Sequence, residues 1–298
     1  MTNVETAAGS DVRPAALGRD AAAVALAHAR DGVRQNLRAV LLLWRREMRR
    51  LRRSPIRIAM GLVTPLMFLV VLGTGLEASG VMSDQLRSYR TYLFPGVLIM
   101  AVQAPAIAVG ISIVWDRRMG VLRQMLVAPM RRGSIVLGLA LGGATAGTAY
   151  GLMVLTVAGV ADIPYRPALL LVLFEVFLIS LGFTALGLLA AVTIKSVDTF
   201  QVVVGLSLMP LMFFSGAMFP PNGLPGWLGY LVKANPITYA VDAVRRTLPG
   251  SSSLSPGGTE ERLMLAGWVP PVLLELGLLV AVTAAALTVA TYRFSRTE

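Results

Sequence analysis

Long stretches without a charged residue are the feature that most constrains this chain. An α-helix of about 20 apolar residues crosses the hydrocarbon core of a bilayer. Two apolar runs hold a single acid each, Glu175 in 167–194 and Glu275 in 263–292. Four more runs hold no Asp, Glu, Lys or Arg at all: 58–76, 91–115, 134–160 and 199–219. The sequence therefore predicts an all-α membrane protein with six transmembrane helices, and it excludes a water-soluble globular fold.

The positive charge is distributed unevenly between the two sides that six spans define. The net charge is +11, and only 14% of residues are charged, against about 25% in soluble domains. With the N-terminus placed inside, most of the 27 Lys and Arg residues fall on the inner side. This asymmetry follows the positive-inside rule, so we expect a multi-pass protein of the cell membrane with both termini in the cytoplasm. Topology and anionic lipid headgroups explain the basic excess better than nucleic acid does.

The N-terminal region precedes a single transmembrane domain at 58–298. Residues 1–30 have the composition of a flexible cytoplasmic tail. Within 31–57, apolar residues from Val33 to Leu51 recur at steps of three or four, and arginines occupy the remaining faces. This pattern predicts an amphipathic interfacial helix in the cytoplasmic headgroup plane, with a helix packed on a partner protein as the alternative.

Two connecting segments are long enough to carry function. The inner segment 116–133 has apolar residues at helical spacing, which suits docking in a groove of another protein, although a basic loop that only sets topology is equally consistent. The outer segment 218–262 contains apolar pieces too short to span, interrupted by prolines. We interpret it as re-entrant or interfacial helices in the outer leaflet before the last span, because irregular backbone at membrane depth needs protein or a cavity around it.

Intramembrane acids and a glycine repeat are further candidate features. Ionised carboxylates are costly inside a membrane, so Glu175 and Glu275 are functional candidates, with packing or interfacial roles as the alternative. Counting along its run places Glu275 near mid-membrane and Glu175 nearer the outer end. Glycines at 143, 147 and 151 predict a close helix contact, within the chain or between subunits. A proton-coupled transporter or channel that uses the two acids is one functional hypothesis.

The sequence lacks the residues that metal binding, nucleophilic catalysis and a phosphate-binding loop require. The chain has no cysteine and one histidine, His28, so we expect no metal site and no catalytic Ser/His/Asp group. Its two lysines, Lys195 and Lys233, do not lie in a Gly-x4-Gly-Lys-Ser/Thr phosphate-binding loop. We therefore predict no catalytic residues and no cofactor in this chain. An intramembrane enzyme is the weakest hypothesis, because nucleophile–base pairs are missing.

Two segments resemble a known family. Residues 213–245 (FFSGAMFPPNGLPGWLGYLVKANPITYAVDAVR) are similar to the C-terminal signature of ATP-binding-cassette type 2 permeases, nearest to the daunorubicin-resistance and nodulation lipooligosaccharide exporter group. Gly120-Val-Leu-Arg123 followed by Leu126-Val-Ala-Pro129 resembles that family's cytoplasmic coupling segment. The resemblance covers the chain from about Leu43 onward.

The resemblance implies a permease subunit of an exporter for an amphipathic or lipid-like substrate. Two copies of a separate ATPase would bind ATP and Mg, and a second permease, identical or a sibling, would complete the assembly. The segment 31–53 would be a connecting helix. The ATPase-coupling residues would be Asp116, Arg117, Arg118, Gly120, Leu122, Arg123, Met125 and Leu126. An extracellular gate would comprise Ser215, Gly216, Pro220, Pro225, Trp227, Asn235, Pro236, Tyr239 and Asp242.

Overall fold

The computed structural model describes residues 34–78, 89–120, 132–218, 225–249 and 270–296. All regular structure within these ranges is helical, and the tail at 1–30 lies outside them. The helices are α1 (34–52), α2 (Pro55–Ala78), α3 (Tyr89–Arg118), α4 (Arg132–Thr156), α5 (Ala168–Thr193), α6 (Val197–Phe213), α7 (Gly226–Ala234), α8 (Pro236–Thr247) and α9 (Val272–Arg296). A 3-10 turn at Ala158–Ala161 follows α4.

Five helices are long and apolar enough to cross a membrane, namely α2, α3, α4, α5 and α9. They confirm five of the six predicted apolar spans. The remaining run, 199–219, forms α6, which has 17 residues and ends at Phe213. At 1.5 Å per residue this helix is about 26 Å long, shorter than a hydrocarbon core of about 30 Å. The sixth span therefore stays a prediction.

The last span begins later than the apolar run 263–292 that predicted it. Pro270 and Pro271 precede α9, which starts at Val272, so Glu275 lies in the first turn of the helix. The prediction that Glu275 lies halfway along a span was wrong. The first backbone N–H groups of a helix have no acceptor within the helix. Proline, which lacks a backbone N–H, is therefore well tolerated at the helix start. The two prolines therefore explain why the helix starts at Val272 and not at residue 263, where the apolar run begins.

The glycine repeat packs inside the chain. A Cβ atom at Gly143, Gly147 or Gly151 of α4 would collide with side chains of α5, those of Thr184, Ser180 and Val176 respectively. Within a membrane the hydrophobic effect contributes little to helix association, so helices associate through close packing. Small residues allow that packing because the helix backbones can approach closely. Helices α3, α4 and α5 form the packed centre of the fold around this contact.

Helix α1 packs along α4. A Cβ at Gly138 would meet Val40 and Leu43, and a Cβ at Gly142 would meet Glu47. One turn further on α4, Thr145 Oγ1 lies 3.6 Å from Met48 Sδ, and it accepts a hydrogen bond from the Trp44 indole Nε1 at 3.1 Å. The contacts advance together on both helices, so α1 runs beside α4 in the same direction. Its position in a headgroup plane stays a prediction.

Candidate functional site at the junction of α5, α8 and α9

The turn after α6 anchors the predicted outer segment. Gly216 has a backbone φ of +70°, a conformation that favours glycine. Its carbonyl oxygen accepts hydrogen bonds from Tyr92 of α3 at 3.0 Å and from Arg245 of α8 at 2.9 Å. Ser215 Oγ donates to the Met212 carbonyl at 2.6 Å. The Ser-Gly pair thus joins the end of α6 to α3 and α8.

Asn235 occupies the corner between α7 and α8. Its Oδ1 accepts from the backbone N–H of Ile237 at 3.0 Å, which caps α8, and Pro236 takes the first helical position. Its Nδ2 donates to the Leu211 carbonyl of α6 at 2.6 Å. Tyr239 OH donates to the carbonyl of Lys233 at 2.8 Å. This corner therefore fixes α6, α7 and α8 relative to one another.

Arg245 connects α8 to α3. Its guanidinium carbon lies 4.1 Å from the centroid of the Tyr92 ring, a distance at which a cation is attracted to an aromatic face. The side chain is buried, and its terminal nitrogen also reaches the Gly216 carbonyl. Among the described residues, Arg245 therefore has an aromatic ring and a carbonyl oxygen as partners, and no carboxylate.

A buried ionic cluster joins α5, α8 and α9. Arg246 Nη2 contacts Asp242 one turn earlier on α8 and lies 3.2 Å from Glu275 Oε1 on α9. Its Nη1 donates to the Pro270 carbonyl at 2.6 Å. Thr247 Oγ1 lies 2.6 Å from Glu175 Oε1 and donates to it, which adds α5. Glu175, Asp242 and Glu275 are each at most 3% exposed. We call Glu175, Asp242, Arg246, Thr247 and Glu275 the junction cluster.

The structure brings together the two intramembrane acids that the sequence marked separately. Arg246 and Thr247 are the partners that the sequence reasoning missed. A buried carboxylate needs a cation or donor nearby. The signal was the adjacent Arg245-Arg246-Thr247 after Asp242, in a region otherwise poor in charge.

Other predicted gate residues lie away from the cluster. Trp227 is 67% exposed on α7, and Pro225 is exposed just before it. Exposed aromatic side chains on a short helix are typical of a membrane–water interface. Pro220 lies outside the described residues. The predicted gate is thus divided between a buried corner around Ser215, Gly216, Asn235, Pro236, Tyr239 and Asp242 and an exposed α7.

The predicted ATPase-coupling residues lie at the other end of α3. Asp116, Arg117 and Arg118 form its last turn, and Gly120 follows in a turn with φ +73°. Asp116 Oδ2 lies 2.9 Å from Arg46 Nη2 of α1, and Arg118 Nη2 lies 3.3 Å from Ser196 Oγ before α6. Leu122, Arg123, Met125 and Leu126 lie outside the described residues, so their coupling role stays a prediction.

The junction cluster joins helices through side-chain contacts. A guanidinium contacts the carboxyl groups of Asp242 and Glu275, and a hydroxyl donates to that of Glu175. Across the described ranges, no group of three or more His, Cys, Asp or Glu side chains is placed to hold a metal ion. These contacts hold α8 against α5 and α9.

The comparison with known families decides the class of the protein. The profile of the ABC-2 type transporter family matches residues 38–248, from α1 through α8. The chain belongs to the ABC-2 type transporter family. The matched region contains the C-terminal end of α3, where the predicted coupling residues begin, the corner at Asn235 and the α8 residues of the junction cluster. The family assignment and the five apolar helices make the chain a multi-pass membrane protein.

Individual relatives are identical to this chain at 26% to 29% of the aligned positions. A putative transport permease, ycf38, of Cyanophora paradoxa is 26% identical over 222 residues, covering 73% of this chain and 77% of the relative. Nodulation protein J of Rhizobium leguminosarum bv. viciae is 28% identical, covering 70% and 82%. The daunorubicin resistance ABC transporter permease protein DrrB1 of Streptomyces coeruleorubidus is 29% identical, covering 70% and 74%.

Proposed function

We propose that this chain is the transmembrane permease subunit of an ATP-driven exporter for an amphipathic or lipid-like substrate. The observation that carries the proposal is the ABC-2 family match over residues 38–248, together with relatives named for daunorubicin resistance and nodulation. The spanning helices carry few charges, and Glu175 and Glu275 are engaged within the junction cluster. An apolar protein surface in the membrane is consistent with a cargo that has a large apolar part.

A separate ATP-binding-cassette ATPase, in two copies, supplies the energy in this proposal. ATP and Mg are bound by that partner, since this sequence has no phosphate-binding loop. The segment from Asp116 to Leu126 docks in a groove of the ATPase. The end of α3 is suited to transmit force because Arg46 braces it against α1 and Arg118 contacts the turn before α6.

Helix α3 links the two ends of the proposed mechanism. It has 30 residues, about 45 Å at 1.5 Å per residue, and it carries Asp116 near its inner end and Tyr92 near its outer end. Tyr92 contacts both Gly216 and Arg245. Movement of the coupling segment therefore shifts α8, and release of α8 opens the outer exit as one rigid-body step.

A second permease, identical or a sibling, covers the peripheral face of α2 and α6 in this proposal. Most residues of these two helices are exposed, including the polar side chains Gln201 and Ser207 of α6. Polar side chains are unfavourable against lipid tails and favourable against a protein or an aqueous path. Cargo then moves between the two permeases, whose N- and C-termini lie in the cytoplasm.

The proposed coupling segment is tested by charge reversal and by an acid placed on its apolar side. We expect Arg123→Glu and Leu126→Asp to abolish co-purification of the ATPase in mild detergent, because the docking contact is lost while the spans remain folded. Lys195→Glu, a charge reversal in the turn between α5 and α6, is the control. Mass spectrometry of the affinity-purified complex measures the ATPase. Normal ATPase recovery with both coupling variants would show that the segment is wrongly assigned.

A proton-coupled transporter is the second candidate, favoured by one observation: Glu175 and Glu275 meet at the same junction. The two candidates differ in their energy source. Inverted vesicles that contain the permease and its co-purified ATPase separate them. An exporter loses transport when ATP is withheld and retains it when a protonophore collapses the proton gradient, whereas a proton-driven carrier shows the opposite pattern.

A further inference from the structure

A groove between α1, α2, α3 and α4 combines basic and apolar walls. Its polar rim includes Arg50 of α1, Ser54 of the connecting turn and Arg57 of α2. Its floor includes Pro105 and Ala108 of α3 and Ala146 of α4. The groove lies where α1 passes into α2 and shares no residue with the junction cluster.

Within the part of the chain that the structure describes, the two arginines of this rim have no acidic partner. No described carboxylate lies within 4.0 Å of the guanidinium of Arg50 or Arg57. Glu47 also lines the groove, but it is paired with Arg46 at 3.2 Å, and Arg46 reaches Asp116 as well. Among the described residues, the groove therefore has two positive charges without an acidic partner beside apolar side chains.

The backbone around the rim is held in place. Tyr150 OH of α4 donates to the Arg57 carbonyl at 3.3 Å, and Ser54 Oγ donates to the Arg50 carbonyl at 3.2 Å. A Cβ at Gly61 would collide with the Tyr150 ring, so α2 and α4 are in close contact just beyond the rim. The two guanidinium groups therefore extend from a fixed corner of the fold.

We propose that this groove binds an anionic phospholipid of the cytoplasmic leaflet. Guanidinium groups bind phosphate oxygens through paired, charge-assisted hydrogen bonds. Basic pockets between membrane helices on the cytoplasmic side match anionic headgroups, and the apolar floor accommodates the adjoining acyl chain. A soluble anion would gain nothing from that floor. The inference goes beyond export and holds for any cargo.

A lipid bound in this groove would affect the position of α1 relative to α3. Helix α1 carries both Arg50 at the rim and Arg46, which braces Asp116 at the coupling end of α3. A lipid that neutralises the rim holds the end of α1 against α3 and α4. The coupling segment is then presented to its partner only when the surrounding leaflet contains anionic lipid.

The test measures lipid retained by the purified permease. The protein is exchanged into detergent with equal amounts of phosphatidylglycerol and phosphatidylcholine, and bound lipid is counted by native mass spectrometry. We expect phosphatidylglycerol to be retained by the wild type and to fall about tenfold or more in Arg50→Gln with Arg57→Gln, since two basic contacts are lost. Arg52→Gln with Arg53→Gln removes two exposed arginines of the same segment that do not line the groove, and it should retain the lipid.

Three results would overturn the proposal. Equal loss in both double variants would mean general attraction to basic residues, and equal retention of the two lipids would mean no headgroup recognition. Displacement of phosphatidylglycerol by inorganic phosphate at a similar concentration would assign the site to a soluble anion. Ala108→Leu, which fills the floor and keeps both arginines, should also lower retention. Ala108→Leu tests the lipid site even if the double arginine variant does not fold. Unchanged phosphatidylglycerol retention in Ala108→Leu would contradict the lipid site.

Discussion

At the scale of single residues, Arg246 is the side chain on which the junction cluster depends. It contacts Asp242 and Glu275, and both carboxyl groups lose their cation if it is removed. Burial of an uncompensated charge costs more than an ion pair contributes, so the loss of one partner is severe even where the pair itself adds little.

Arg246→Met should therefore destabilise the permease by about 3–5 kcal/mol. Arg246→Lys keeps the positive charge without the planar fork and should fall between Met and wild type. Thermal unfolding of the detergent-purified protein, followed by fluorescence-detected size exclusion, measures the order. Arg166→Gln, at an exposed position before α5, is the control and should change stability by less than about 0.5 kcal/mol. Unfolding of Arg246→Met at the wild-type temperature would show that the cluster does not hold α8.

At the scale of helices, the glycines of α4 set the distance to α5. Their backbone lies so close to Thr184, Ser180 and Val176 that a single added methyl group has no space. Gly205 of α6 has the opposite surroundings, since a methyl group added there would meet no atom within 4 Å. The two sites form a matched pair for one substitution.

Gly147→Ala should destabilise the protein by about 1–3 kcal/mol because α4 must move away from α5. Gly205→Ala should be neutral or slightly stabilising, since alanine favours a helix more than glycine does. The measurement is the unfolding temperature of the two variants in the same detergent. Equal unfolding temperatures for the two variants would contradict the close α4–α5 contact.

The sequence predicted the helices whose limits depend on hydrophobicity. It was less informative about helix ends that depend on a turn or on proline. Apolar runs with at most one charged residue located α2, α3, α4, α5 and α9, because exclusion of charge from hydrocarbon acts on the whole segment. The end of α6 depends on the turn at Gly216 and the start of α9 on Pro270-Pro271, which hydropathy alone does not register. The pairing of Glu275 with Arg246 is a long-range contact that no local pattern encodes.

At the scale of the whole molecule, the contact between α1 and the C-terminal end of α3 connects α1 to the proposed coupling segment. Arg46 and Asp116 are 31% and 23% exposed, so their ion pair adds only about 0.2–1 kcal/mol to stability. Its proposed importance lies in orientation of the coupling segment, and a stability assay would not detect it.

Asp116→Arg should leave the unfolding temperature nearly unchanged and lower ATP-driven transport several-fold, because like charges then separate α1 from α3. Arg46→Asp should lower transport for the same reason, and it should also lower the unfolding temperature because it removes the partner of the buried Glu47. The double variant restores opposite charges and should recover much of the transport. Reconstituted vesicles with the ATPase partner provide the measurement. Failure of the double variant to recover would indicate that Asp116 acts on the ATPase directly and not through α1.

The filled interior formed by α3, α4 and α5 has a consequence for the range of cargo. Side chains and close-packed backbones occupy the middle of the chain, so a passage through it would require these helices to separate. If two permeases pair as proposed, the route for cargo would run along their facing surfaces, and its width would depend on how far the two chains move apart. The size of the cargo would then be set by an adjustable gap instead of a channel of fixed diameter, and one scaffold could serve molecules of very different bulk.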